Sequence, residues 1–111
     1  MSREIKFRAW NGDQMISPDY ITRNGIGYWK ENSIPSYSTD LMQFTGLKDK
    51  NGVNIYEGDI IIFEDGQEVI IHFMYGAFGW YGASGYTSLF ETNLSLTEVA
   101  GNTYSGKQTS R

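Results

Sequence analysis

Cysteine is missing from all 111 residues, and its absence removes disulfides, thiolate metal sites and cysteine nucleophiles together. The fold must therefore stand on packing and hydrogen bonding. Histidine occurs once, at His72. A metal would have to be held by that imidazole and the scattered carboxylates of Asp59, Glu64, Asp65 and Glu68, whereas zinc takes a closed ligand set and calcium a spaced oxygen loop. Residues 64–68 read instead as a solvated acidic hairpin tip, and no metal or other cofactor is expected. Proline occurs twice, and charged residues at 20% are too few for a disordered polyelectrolyte. No apolar run approaches the roughly 18 residues of a membrane span. The opening MSREIKFRAW interleaves charge with apolar residues, unlike a signal peptide. These absences lead to the expectation of a soluble cytoplasmic protein that does not engage a membrane.

Basic charge is scarce in one half only. Residues 1–50 carry seven Lys and Arg against six Asp and Glu, and residues 51–111 carry two against seven, so the net charge of −4 comes from the second part. That part is a poor phosphate binder. What the chain has in quantity is aromatic: six Phe, three Trp and eight Tyr, with thirteen Gly, a composition suited to a folded β protein. Its length suits a single domain, placed at residues 1–105, with 106–111 as a polar, flexible tail.

Periodicity supports strands throughout. Ile5, Phe7 and Ala9 alternate with Lys6, Arg8 and Trp10, and Asn11-Gly12-Asp13 turns the chain toward a short return at Met15-Ile16. Asn24-Gly25 marks a second turn before a strand at Tyr28-Trp29-Lys30, and residues 31–38, with Pro35, read as loop. Residues 41–45 alternate again and lead into Asn51-Gly52, read as a two-residue type I′ turn with Lys50 facing Val53 and Leu47 facing Tyr56. Ile60-Ile61-Ile62-Phe63 is a continuous apolar run, expected as a central strand buried on both faces. Asp65-Gly66 is read as another two-residue turn. Its register places Phe63 opposite Glu68, Ile62 opposite Val69, Ile61 opposite Ile70, Ile60 opposite Ile71 and Asp59 opposite His72. Residues 86–91 and a stretch around Leu94, Leu96 and Val99 supply the last strands, and a short helix over 92–98 is poorly supported by Asn93, Ser95 and Thr97. The fold class that follows is mainly β: a small antiparallel sheet or open, SH3-like barrel of about six or seven short strands with little helix.

Three constellations could carry chemistry. A carboxylate orienting an imidazole, as Asp59 and His72 would be, is half of a general-base arrangement, but no nucleophile elbow accompanies it, and a structural cross-strand pair is the better reading. Gly76, Gly79, Gly82 and Gly85 recur every three residues without the Lys-Ser or Lys-Thr of a phosphate loop. The aromatic and glycine tract over 73–90 offers Phe78, Trp80, Tyr81 and Tyr86 as a surface for stacking or contact. With no Lys or Arg between residues 73 and 99, it suits packing or a protein interface better than nucleic acid.

Several stretches resemble one family. Arg3-Glu4-Ile5-Lys6-Phe7-Arg8-Ala9-Trp10, Leu41-Met42-Gln43-Phe44-Thr45-Gly46-Leu47-Lys48-Asp49-Lys50-Asn51-Gly52, Ile55-Tyr56-Glu57-Gly58-Asp59-Ile60 and Glu98-Val99-Ala100-Gly101-Asn102-Thr103-Tyr104 are similar, in order, to the YopX proteins of phages and prophages. The resemblance implies a bacterial cytoplasm and self-association. It supplies no catalytic residue to transfer. The expectation is a non-catalytic accessory protein, not an enzyme, whose partner is a second copy or a host or phage protein. Phe78, Trp80 or Tyr81 is expected at the subunit boundary. The alternative is a small-barrel nucleic-acid-binding protein, toward which Arg3, Lys6 and Arg8, with Trp10, would lend a modest cationic strip.

Overall fold

Hairpin loops set the register of this chain, and three of them share one construction. Thr22 N donates to Ile26 O, Asp49 N to Val53 O and Phe63 N to Gln67 O, so each loop holds three residues, Arg23-Asn24-Gly25, Lys50-Asn51-Gly52 and Glu64-Asp65-Gly66. In each the glycine N–H donates back to the first residue of the closing pair. This is a type I turn followed by a left-handed residue, and Gly52 (φ 79°) and Gly66 (φ 92°) fill that last position. A two-residue type I′ turn would also need φ > 0 at Asn51 and Asp65, which they do not adopt. Asp49 Oδ1 holds the N–H groups of Asn51 and Val53, and Asp65 Oδ1 that of Gln67, so local carboxylates select the longer loop.

The computed structural model describes residues 4–107. Strand accounts for 55% of the described residues and helix for 6%, so the mainly β expectation holds. Two compact units make up the chain, Met1–Phe44 and Thr45–Arg111. The described residues form fourteen strands, more than the six or seven expected, because stretches read as loop also pair.

The first unit begins with β1 (Phe7–Trp10), which turns through Gly12 into β2 (Met15–Ile16) with Ala9 opposite Ile16. β3 (Tyr20–Ile21), β4 (Gly27–Glu31) and β5 (Ile34–Ser38) form an antiparallel sheet in that order. Residues 31–38, expected as loop, are thus strand except for the Asn32-Ser33 turn. Pro35 is accommodated because β5 is an edge, where a missing N–H breaks no ladder bond. The turn between β4 and β5 is a true type I′, with Asn32 and Ser33 at φ 54° and 66°. β6 (Leu41–Lys48) pairs antiparallel with β1, Phe7 opposite Gln43, and carries the chain into the second unit. Ala9, Trp29, Met42 and Phe44 are the buried apolar residues of the first unit.

In the second unit β7 (Asn54–Tyr56) follows the Asp49 loop, and Thr45 Oγ1 donates to Ile55 O at 2.7 Å. β8 (Asp59–Phe63), β9 (Glu68–Ile70), β13 (Thr97–Asn102) and β14 (Gly106–Lys107) form a sheet ordered β14-β13-β8-β9. β8 is interior, as expected, but its apolar run is covered on one side only. Ile61 is buried while Ile60 and Ile62 are half-buried, the one-sided pattern of an antiparallel sheet. β10 (His72–Met74), β11 (Ala77–Gly82) and β12 (Gly85–Ser88) form a further antiparallel sheet. Two 3-10 turns, Leu89–Glu91 and Leu94–Leu96, occupy positions read from sequence as strand or weak helix. Ile55, Ile61, Val69, Ile71, Phe78 and Leu89 are the core of this unit. Of the tail expected at 106–111, Gly106–Lys107 forms β14, and residues 108–111 lie outside the described residues.

Candidate interaction surface

The three-residue loop at 64–66 moves the β8–β9 register by one residue from the expected one. Ile60 lies opposite Ile70, Ile61 opposite Val69 and Ile62 opposite Glu68. Ile71 N therefore donates to Asp59 O, and His72 is not the cross-strand partner of Asp59. Asp59 is 1% exposed and its Oδ2 accepts the N–H of Tyr56 at 2.7 Å, the work of a buried turn brace. His72 is half-buried in β10, opposite Gly79. A shift of one residue turns a side chain to the other face of its strand, which dissolves the carboxylate–imidazole pair. Among the described residues no three His, Asp or Glu gather as metal ligands.

The same alternation sorts the aromatic tract into two faces. Phe78 and Trp80 turn inward. Phe78 is buried in the core, and the half-buried Trp80 packs on Phe63 at 5.3 Å while its Nε1 donates to Thr92 Oγ1 at 3.0 Å. Neither side chain supplies the contact surface expected of it. Tyr81 and Tyr86 lie on the other face, opposite one another across β11 and β12 with ring centroids 5.0 Å apart. Tyr75 stands 5.3 Å from Tyr86, and its hydroxyl is 3.3 Å from that of Tyr81. His72 meets the Tyr81 ring edge-on at 5.7 Å, and the Tyr81 hydroxyl donates to Met74 Sδ.

Gly79 makes this face possible. The Tyr86 ring lies across it so that the hydroxyl reaches Ala77 O at 2.8 Å and His72 O at 3.1 Å. A Cβ at Gly79 would collide with Thr87 O and with the Tyr86 ring. Gly79→Ala is expected to destabilise the fold by about 2–3 kcal/mol, since a backbone atom cannot yield as a side chain can. A lowered urea midpoint with unchanged slope is the predicted readout.

Tyr75 was not among the residues singled out from sequence, although it is 78% exposed. It occupies the first central position of a type I′ turn at φ 56°, followed by Gly76 at 78°, between Met74 and Ala77. Asn, Asp or Gly is the usual occupant there, and a bulky residue in the left-handed region costs on the order of 1 kcal/mol or more. A two-residue Tyr-Gly turn carries no strong sequence signature, which is why the residue is visible only in the fold. The hydroxyl contact with Tyr75, then partial desolvation, raises the Tyr81 phenol above its ordinary 10.0. Burial raises Tyr86 above its ordinary value, a backbone hydrogen bond works against that rise, and Tyr75 and Glu57 add to it. Both phenols serve as hydrogen-bonding groups here.

Beside Tyr81 the face opens into a cleft of about 370 Å³ lined by Ile60, Glu68, Val69, Ile70, His72 and Tyr81. Met74 adds exposed apolar surface to this face, whereas Phe73, opposite Phe78 with ring centroids 4.9 Å apart, lies on the other. In the first unit a separate feature escaped the sequence reading. Tyr20, Tyr28 and Tyr37 stand opposite one another on β3, β4 and β5, with centroid spacings of 5.2 and 5.9 Å. Their spacing of eight and nine residues is the signal of paired strands, masked by reading residues 31–38 as loop.

No helix among the described residues is long and apolar enough to cross a membrane. No curated protein matches the chain. Among solved structures it resembles protein EF1440 from Enterococcus faecalis, at 23% identity and a TM-score of 0.62, covering 93% of this chain and 95% of that one. It resembles the yopX protein of Bacillus subtilis equally, at 23% identity and 0.62, covering 91% and 94%. At that identity the likeness concerns the fold. The YopX protein family is matched over residues 6–107, nearly the whole described chain, and the chain therefore belongs to the YopX family.

Proposed function

We propose that this YopX-family chain is a non-catalytic accessory protein of a phage or prophage, working in the bacterial cytoplasm by binding protein, either a second copy or a host or phage partner. The observation that carries this reading is Tyr75, a bulky ring kept in a left-handed turn position and left 78% exposed. Backbone strain of this kind persists where it serves a function. Around it Met74 and Tyr81 are exposed too, on a surface rich in Tyr and free of Lys and Arg, the composition of interface centres.

The test separates contact from folding. Tyr75→Asn places a preferred residue in the turn, so stability is expected to stay within about 1 kcal/mol while association weakens about tenfold or more. Light scattering across a dilution series reads self-association, and a strictly monomeric mass at about 100 μM would overturn that branch. Capture from prophage-carrying cells reads a foreign partner, with Tyr75→Asn losing it. Retention by the variant would remove this face from the proposal.

One observation favours a second reading. The Tyr20-Tyr28-Tyr37 ladder, with exposed Lys30 on the same face of β4, is the kind of platform on which single-stranded bases stack. Fluorescence anisotropy with a labelled oligonucleotide at about 0.15 M salt distinguishes the two, because a true phosphate binder also weakens steeply with added salt.

A further inference from the structure

We propose that the cleft beside Tyr81 receives an arginine side chain from an extended segment of a partner protein. This rests on reading the β10–β12 face as a protein-contact surface. The chemistry of the lining points to a long amphipathic cation. Ile60 and Ile70 lie on the exposed faces of neighbouring strands, opposite one another, and offer aliphatic floor for a methylene stem. Glu68 supplies a carboxylate on the same strand as Ile70, two residues before it and on the same face. Tyr81 supplies an aromatic wall, and a guanidinium stacks on such a ring while donating to a carboxylate in its plane.

Long-range charge favours the same occupant. Residues 51–106 contain no Lys or Arg, while Glu57, Asp59, Glu64, Asp65, Glu68, Glu91 and Glu98 all fall within them. A concave site inside a one-signed region concentrates counter-ions and speeds their arrival. An anionic partner would meet that field as repulsion. The cleft's size, about 370 Å³, suits one side chain with its flanking backbone and not a folded element.

The experiment uses the full isotope-labelled chain and two tripeptides, Ac-Ala-Arg-Ala-NH2 and the analogue with citrulline for arginine, which keeps the shape and removes the charge. Amide shifts around residues 60, 68–72 and 81 are expected with the arginine peptide, at a Kd of roughly 1 mM or tighter. Citrulline is expected to bind at least about tenfold more weakly. Glu68→Gln should weaken the arginine peptide several-fold, whereas Glu91→Gln, an exposed acid on the Leu89–Glu91 turn, should not. Equal binding of the two peptides, shifts elsewhere on the chain, or no shift at about 10 mM would each overturn the proposal. If those peptides fail while Tyr75→Asn still abolishes association, the arginine inference falls and the contact surface stands.

Discussion

Ile61→Asp is expected to leave the second unit unfolded. Ile61 is 1% exposed, at the centre of β8 between Val99 and Val69, and is packed among Ile55, Ile71, Phe78 and Leu89. An aspartate there loses the apolar transfer term of the isoleucine, about 2 kcal/mol or more, and places a carboxylate in a layer with no donor to receive it. The second term is the larger. Together they rival the 5–15 kcal/mol that holds a typical domain together. Loss of dispersed amide resonances or insoluble expression is the expected observation. Ile60→Asp is the control, since Ile60 is half-buried on the other face of the same strand and its carboxylate would remain wet. Its expected cost is about 1–2 kcal/mol. Equal effects of the two substitutions would mean that β8 does not present one face to the core.

Asp49→Ala is expected to cost about 3–5 kcal/mol. Asp49 is 7% exposed, and its carboxylate accepts three backbone N–H groups. Oδ1 takes Asn51 N at 2.8 Å and Val53 N at 2.9 Å, and Oδ2 takes Val99 N at 2.8 Å. Hydrogen bonds to a charged acceptor contribute about 1.5–3 kcal/mol each, non-additively, and alanine would strand all three donors. By contrast the Lys50–Glu98 ion pair beside it, 3.9 Å long and about 40% exposed at both ends, contributes little. Asp49→Asn keeps an acceptor for the loop but turns an amide N–H toward Val99, so about half the loss is expected. The urea midpoint reads the size of the effect. Faster hydrogen exchange at Asn51, Val53 and Val99 reads its location, and unchanged protection at Val99 would detach Asp49 from β13.

That carboxylate was legible in sequence only as part of a turn. Lys50-Asn51-Gly52 and Glu64-Asp65-Gly66 announce hairpins because glycine takes a left-handed position that other residues resist. Asn-Gly does not by itself say whether the loop holds two residues or three. The choice depends on whether a side chain such as Asp49 captures the loop's N–H groups, and for Asp49 on Val99, fifty residues away, arriving to share it. One residue of difference in the 64–66 loop reverses every side chain along β9, and the Asp59–His72 pair disappears with it.

The aromatic tract follows the same division. Its abundance of rings and its lack of positive charge are properties of composition, and they favour packing or a protein interface over nucleic acid in this region. Which rings face outward was undecided until β10, β11 and β12 paired, because a glycine-punctuated sequence has no clean period of two. Pairing then buried Phe78, tied Trp80 to Thr92 and left Tyr75 and Tyr81 exposed.

By itself, then, the sequence determined the β class, the hairpin positions, the YopX membership and the acidic, cation-poor second half. These rest on local propensity, composition and residue identity, which need no partner in space. Tertiary structure alone decided loop length, strand register, the division of rings between core and surface, and the cleft beside Tyr81. Each of those depends on which distant backbone group completes a hydrogen bond, and a two-residue period turns a single such choice into a different surface.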